Sequence, residues 1–314
     1  MKVAVLDDYQ NVSMQYADWE MLKGSCEIVV FNEHFSDPVM LRAALEPFDA
    51  VCLMRERTPI QRPLIEALPN LKLIVTAGAR NASIDVVAAK EKGIAVCGTR
   101  RSGASTAELA ITLILALARN LVCEVQSVRN GGWQVGVGRD VRGANLGLIG
   151  LGNLGQEVAK IALALGMNVS AWSANLTKEK AELVGVSYAS KEEILRTSDY
   201  ISVHLVLSER TRHILAAEDF AVMKPSAHVI NTSRADIVDT EALLNAINLE
   251  QIAGAAVDVF NIEPMPKESV LRTHPKVLAT PHIGYVTENA YRIFYNDFVE
   301  DVKAFIEGAP IRLL

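Results

Sequence analysis

Three polar residues stand where apolar runs give way to turns, and their types suit carbonyl and proton chemistry. Arg234 lies in Asn231-Thr232-Ser233-Arg234-Ala235-Asp236, Glu263 in Val257-Asp258-Val259-Phe260-Asn261-Ile262-Glu263-Pro264, and His282 in Thr280-Pro281-His282-Ile283-Gly284. Each segment follows a strand-like run. In open α/β sheets ligands bind beyond the carboxyl ends of the strands, so three such loops can converge on one crevice. Singly they read as a surface arginine, a glutamate before a proline turn and a loop histidine. Together they offer a cation to polarise a carbonyl, a group that titrates near neutrality to move a proton, and a carboxylate to tune it.

A second constellation is Leu146-Gly147-Leu148-Ile149-Gly150-Leu151-Gly152-Asn153-Leu154-Gly155, a strand running into G-x-G-x-x-G and then a helix. Gly150 permits the tight turn, Gly152 lets backbone amides approach a pyrophosphate, and Gly155 lets the helix pack on the strand. The context is the required one: an apolar strand before, an amphipathic helix after, then Gly166 and a second strand, Asn168–Trp172. That pattern points to a dinucleotide. The acidic residue that commonly meets the ribose 2′-hydroxyl should end the second strand, and Ser173 stands there, followed by Asn175 and Lys178. No carboxylate repels a 2′-phosphate, so NAD and NADP both remain open, with Lys178 a helper for the phosphate. The plainer alternative has Ser173 and Asn175 bind ribose hydroxyls as neutral groups, with Lys178 solvated.

Positioning these loops requires two α/β units. The chain has 314 residues, which at about 150 per domain suggests two domains. Apolar runs at Val3–Leu6, Ile28–Phe31, Ala50–Met54, Leu71–Val75 and Ile94–Cys97 alternate with helix-like stretches such as Val39–Leu45 and Ile84–Lys90. This alternation predicts a small parallel α/β domain. Ser105-Thr106-Ala107-Glu108 has the capping-box pattern and opens an apolar helix through Leu109–Leu121, which suits burial in a core, between domains or between subunits. A second α/β series follows, with strands at Leu146–Ile149, Asn168–Trp172, Tyr200–Val203, His228–Ile230, Ala253–Val257 and Val277–Ala279, and helices including Gln156–Leu165 and Thr240–Asn248. A closing helix, Thr287–Glu307, can cross back to the first domain. The expected division is 1–101 with 287–314 as a discontinuous outer domain, and 102–286 as the dinucleotide domain.

Composition excludes several function classes. The net charge of −6 gives no general attraction to nucleic acid or an anionic membrane. Four cysteines, Cys26, Cys52, Cys97 and Cys123, form no CxxC pair and have no clustered histidines, so neither a metal site nor a disulfide framework is expected. The start, MKVAVLDD, turns acidic too early for a signal peptide, and the apolar stretch Leu109–Ala118 is half the roughly 20 residues that span a bilayer. The expectation is a soluble, cytoplasmic protein.

In order along the chain, Thr76-Ala77-Gly78 with Ile84-Asp85, Ala107-Glu108-Leu109, the glycine fingerprint, Ala164-Leu165-Gly166-Met167, Met223-Lys224-Pro225, the Arg234 segment, Asp258-Val259-Phe260, Glu263-Pro264 and Thr280-Pro281-His282 form a set. With it the sequence closely resembles the D-isomer-specific 2-hydroxyacid dehydrogenase family of phosphoglycerate, glyoxylate/hydroxypyruvate and D-lactate dehydrogenases, most strongly over Leu71–Thr287. The resemblance implies two doubly wound parallel-sheet domains, a flavodoxin-like substrate domain and a Rossmann NAD(P)-binding domain. It implies that Arg234 binds the 2-oxo acid and polarises its carbonyl, and that His282 donates a proton to the carbonyl oxygen in reduction and removes it in oxidation. Glu263 would hydrogen-bond the imidazole and favour its protonated form. Ala77 and Gly78 would offer amides to the substrate carboxylate, Arg55 would be a substrate-side cation, and Asp258 would hold the nicotinamide carboxamide. The cofactor set is then Gly150, Gly152, Asn153, Leu154, Gly155, Ser173, Asn175, Lys178, His204, Thr232, Asp258 and His282. A homodimer is implied, with the Ala107–Leu121 helix a candidate interface element.

The sequence departs from the family pattern at Arg80 and Ala235, where relatives have glycine, and at His204-Leu205-Val206-Leu207, which replaces His-x-Pro-Leu. Arg80 adds a second cation beside Ala77–Gly78; the alternative places it in solvent or on a nearby acid. With Arg55 it suggests a small polar 2-oxo acid, hydroxypyruvate or glyoxylate first, a phosphorylated or dicarboxylic acid second. Two other readings of the scaffold are a nucleotide-sensing interaction protein, as the corepressor members are, and a formate dehydrogenase. The acidic charge and short tails count against the first, and Glu263, which is Gln in formate dehydrogenases, against the second.

Overall fold

The computed structural model describes every residue except Ser102, the residue at which the expected domain boundary falls. The chain divides into two compact units, Met1–Gly103 with Val286–Leu314, and Ala104–Tyr285.

The first unit is built on five parallel strands: β1 (Lys2–Val5), β2 (Glu27–Val30), β3 (Ala50–Leu53), β4 (Leu73–Thr76) and β5 (Ala95–Gly98). Their order is β2-β1-β3-β4-β5. Every residue of β3 and β4 is buried, the continuous apolar pattern of a sheet covered by helices on both faces. The helices Pro38–Leu45 and Val86–Glu91 are capped by Asp37 and Asp85, which accept from the Val39 and Ala88 amides. The helix Glu288–Ile306 returns from the far end of the chain and belongs to this unit. Its buried stripe, Tyr291, Phe294, Tyr295, Phe298 and Val302, follows the i, i+3, i+4, i+7, i+11 spacing of one helix face. Beyond it, Gly98 N–H donates to Arg312 O and Leu314 N–H to Val96 O, both at 2.9 Å, so the last residues pair with the β5 edge. The same helix buries Asp297 and Asp301; Arg100 Nε reaches Asp297 at 2.9 Å and Arg312 Nε reaches Asp301 at 3.0 Å.

The second unit holds seven parallel strands: β6 (Asn145–Ile149), β7 (Asn168–Trp172), β8 (Ser187–Tyr188), β9 (Tyr200–Val203), β10 (His228–Asn231), β11 (Gly254–Val257) and β12 (Val277–Ala279). Their order is β12-β11-β10-β9-β6-β7-β8. The two-residue edge strand β8, exposed at both positions, is absent from the sequence reading. The helix expected through Leu121 ends earlier. It runs Ser105–Ala118, Asn120 takes a left-handed φ of 50°, and a second helix, Leu121–Arg129, leaves at 65°. The expected capping box does not form, because Ala104 rather than Ser105 is the cap residue and makes no side-chain bond. No single helix among the described residues is long and apolar enough to cross a membrane.

Both sheets are doubly wound, as expected. Strand order reverses at β1 in the first unit and at β6 in the second. The crevice for a ligand lies outside the carboxyl ends at such a reversal. In the second unit that places the Gly150 turn beside the end of β9.

Candidate active site

The carboxyl ends of β10, β11 and β12 carry Arg234, Glu263 and His282, and the parallel register brings all three loops to one edge of the sheet. Asn231 shapes the first loop. Its Oδ1 accepts from Ser233 N–H at 3.0 Å and its Nδ2 donates to Arg234 O at 3.0 Å, turning the chain sharply after β10. The Ser233 hydroxyl donates to Val203 O at the end of β9. The Arg234 guanidinium donates to Ser233 O at 2.7 Å.

Glu263 joins the second and third loops. Its Oε1 accepts from Phe260 N–H at 2.9 Å, and its Oε2 lies 2.6 Å from His282 Nδ1. A carboxylate only accepts, so Nδ1 carries the hydrogen and Nε2 is left to exchange a proton with a ligand oxygen. The imidazole meets the Tyr285 ring edge-on at 5.4 Å. His282 holds a left-handed φ of 53°, a conformation maintained by the bonds that pin the turn around it.

Those bonds come from Asp258. Its Oδ1 accepts from Thr280 Oγ1 at 2.6 Å and Ile283 N–H at 2.8 Å, and its Oδ2 from Gly284 N–H at 2.8 Å. Burial pushes the carboxyl above its usual range, against the opposing pull of these donors and of His282. The sequence reading gave Asp258 the nicotinamide carboxamide. In the structure its bonds anchor the His282 turn, which leaves at most one lone pair of Oδ2 for another donor.

The glycine turn after β6 has a shape that only glycine allows. Gly150 has φ 110°, and a Cβ there would lie 2.6 Å from His204 O. A Cβ on Gly155 would lie 2.3 Å from Gly150 O, while the corresponding position on Gly152 faces open space. Gly152 is the cap of the helix Asn153–Ala164, whose first-turn amides have no partner within the helix. Two buried polar atoms nearby in the topology, Thr232 Oγ1 after β10 and His204 Nδ1 after β9, have no partner among the described residues. Such orphans call for a ligand. Burial drives the His204 imidazole down to about 4, so near neutral pH it is uncharged. Its Nε2 meets Ser202 Oγ at 2.9 Å. The donor set, the cradle and these orphaned atoms fit a dinucleotide. Ser173 is half-buried at the end of β7, Asn175 is exposed, and Lys178 is exposed with Glu182 at 3.8 Å. No group of three or more His, Cys, Asp or Glu among the described residues could hold a metal.

In the first unit, Arg55 follows β3 and lies over the loop after β4, with Nη1 donating to Ala77 O at 3.2 Å. Gly78 has φ 93°, and a Cβ there would meet Arg55 Nη1 at 1.8 Å. The amides expected to bind a carboxylate are occupied, which corrects the sequence reading. Ala77 N–H donates to Leu53 O at 2.9 Å as part of the sheet, and Gly78 N–H to Thr99 Oγ1 at 2.6 Å. Thr99, 21 residues away in sequence, gives no local signal of this role. Arg80 is exposed.

The family model for the D-isomer specific 2-hydroxyacid dehydrogenase NAD binding domain matches residues 111–284. The chain is 38% identical over 289 residues to the hydroxypyruvate reductase of Thermotoga maritima, covering 90% of this chain and 92% of that protein. It is 38% identical over 262 residues to the D-3-phosphoglycerate dehydrogenase of Methanocaldococcus jannaschii, covering 82% of this chain and 50% of that protein. The chain thus spans about half the length of the phosphoglycerate dehydrogenases it matches. The solved phosphoglycerate oxidoreductase of Vibrio cholerae superposes with a TM-score of 0.93 at 38% identity, over 98% of this chain and 100% of that one. A sequence match that spans the glycine turn and the Arg234, Glu263 and His282 loops, joined to a shared fold over nearly the whole length, places the chain in the D-isomer specific 2-hydroxyacid dehydrogenase family, as an NAD-binding oxidoreductase.

Proposed function

We propose that the protein reduces a small polar 2-oxo acid to its 2-hydroxy acid, with hydroxypyruvate or glyoxylate the preferred class and a phosphorylated or dicarboxylic acid the second. The observation that carries this reading is the 2.6 Å contact of His282 Nδ1 with Glu263, on the same sheet edge as Arg234. Arg234 binds the 2-oxo acid and polarises its carbonyl. His282 Nε2 donates a proton to the carbonyl oxygen as charge develops there, and removes it in the reverse direction. Glu263 fixes the imidazole tautomer and ring orientation. When bound, the dinucleotide would supply the hydride from its nicotinamide; Gly150, Gly152, Asn153, Leu154 and Gly155 would hold its pyrophosphate, with Thr232 and His204 as further polar contacts.

Ser173, in place of an acid, supports use of NADPH alongside NADH. A homodimer is supported by the exposed Leu121, Val122, Val125 and Val128 with Trp133, Val135 and Val137. Light scattering of wild type and Val125→Asp reports on it: a dimer lost in the variant agrees, an unchanged mass does not. The main test assays hydroxypyruvate, glyoxylate, 3-phosphohydroxypyruvate and 2-oxoisocaproate with NADH and NADPH in parallel, in wild type and His282→Ala. The variant should lose about 10²–10⁴-fold in kcat. Near-wild-type turnover in His282→Ala, or best activity on 2-oxoisocaproate, refutes the reading.

A further inference from the structure

We infer that Asp236 is a positioning residue that keeps Arg234 in register with the Glu263–His282 pair; the inference rests on the roles just proposed for those three residues. Asp236 lies two residues beyond Arg234, in the short turn Ala235–Ile237. Its carboxylate bridges two other loops. Oδ2 accepts from Arg212 Nη1, in the connection after β9, and Oδ1 accepts from Asn261 Nδ2, in the loop after β11. Asn261 stands two residues before Glu263, and the intervening loop is closed by the bond from Phe260 N–H to Glu263 Oε1. The amide of Asn261 is oriented from its other end, where Thr240 Oγ1 donates to Oδ1 at 3.3 Å. The Asp236 carbonyl accepts from His213 N–H at 2.8 Å, a second tie to the β9 connection.

Side-chain bonds therefore run across the carboxyl edge of the sheet from Arg212 after β9 to Asp236 after β10 to Asn261 after β11, the short loop backbone carries the link on to Glu263, and Glu263 meets His282 after β12. Both neighbours of the Asp236 side chain are donors, so the position needs a group that accepts on two sides. A carboxylate does this and an amide does not. The ion pair is exposed, with side-chain accessibilities of 44% for Arg212 and 30% for Asp236. Its contribution to folding is correspondingly small. Its effect is geometric: without it, the turn bearing Arg234 and the loop bearing Glu263 are no longer fixed to each other. Misplacement of a positioned group by about 1 Å is enough to lose about two orders of magnitude in rate.

The test compares Asp236→Ala, Asp236→Asn, Asn261→Ala and the Asp236→Ala/Asn261→Ala double variant with wild type, and includes Arg234→Ala. Asp236→Ala should lower kcat on hydroxypyruvate about tenfold or more, with NADH affinity by fluorescence titration and Tm nearly unchanged. Asp236→Asn should recover part of the loss, and the double variant should be no worse than Asp236→Ala. Turnover in Asp236→Ala within twofold of wild type, beside a collapse in Arg234→Ala, overturns the inference and leaves the catalytic reading intact. Losses in the two single variants that simply multiply also overturn it. An Arg234→Ala variant with normal turnover brings down the catalytic reading itself. Where Asp236→Ala fails to fold, Asn261→Ala decides, since it leaves the Asp236–Arg212 pair in place: a several-fold loss in kcat supports the inference and an unchanged kcat refutes it.

Discussion

Replacing Asp258 by Asn tests whether His282, the proton donor proposed above, is held by one buried carboxylate. The carboxylate accepts from Thr280 Oγ1 at 2.6 Å, Ile283 N–H at 2.8 Å and Gly284 N–H at 2.8 Å, and is 1% exposed. Asn has one acceptor oxygen. It can keep Thr280 and Ile283 but must then set its NH₂ against the Gly284 amide. A charge-assisted bond is worth about 1.5–3 kcal/mol and an orphaned buried amide costs about 1–3 kcal/mol. Burial that already pushes this carboxyl upward offsets part of the loss, because a neutral amide escapes the desolvation of a charge. The net effect should be about 2–3 kcal/mol, or a Tm lower by about 4–12 °C for a unit of this size. The turn that relaxes carries His282, so kcat should fall about 10²-fold while NADH binding changes less. Differential scanning fluorimetry and steady-state kinetics on the same preparation read both. A Tm within about 2 °C of wild type and kcat within twofold would show that the turn holds itself and that Asp258 is not its anchor.

Two further outcomes follow from groups outside the reacting centre. Burial raises Asp301 to about 7, against the pull of Arg312, with Asp297 and Glu300 adding to the rise. The folded form then binds a proton that the unfolded chain, with a carboxylate near 3.9, has released. The stability Asp301 contributes is present below pH about 4 and lost as pH rises through about 7. Tm should therefore decline from pH 5 to 8, and Asp301→Asn should flatten that slope; equal slopes in both proteins would contradict the assignment. Gly155→Ala sets a Cβ 2.3 Å from Gly150 O, a backbone atom with no room to yield. NADH affinity, measured by fluorescence titration, should drop at least tenfold, and an unchanged affinity would mean that the turn is not the pyrophosphate site.

The sequence made the repeating layers plain because strands buried on both faces read as apolar runs. Ala50–Leu53, Leu73–Thr76, Tyr200–Val203 and Gly254–Val257, buried at every position, lie where the runs lie. It also pointed to Arg234, Glu263 and His282, since polar residues just beyond such runs stand out. What it obscured were partnerships made at long range. Thr99 consumes the Gly78 amide, and Asp258 turns toward Ile283 and Gly284. Asp236 meets Arg212 and Asn261, 24 and 25 residues away. The break at Asn120 was masked by apolar residues on both sides, Leu117-Ala118 and Leu121-Val122, which carry the helical pattern through a residue that adopts a left-handed φ.

The return of the chain to its first unit sets an order on biosynthesis. Residues 1–103 leave the ribosome without the helix Glu288–Ile306 that seals them, and the whole of the second unit emerges in between. The uninterrupted unit can fold as it appears, whereas the first must hold an uncovered apolar face and an unpaired β5 edge until residues 286–314 have emerged. For that interval the nascent protein presents the kind of surface that holding chaperones bind. A circular permutant that placed residues 286–314 ahead of Met1 would shorten the wait to one contiguous segment, and refolding would lose its longest loop closure.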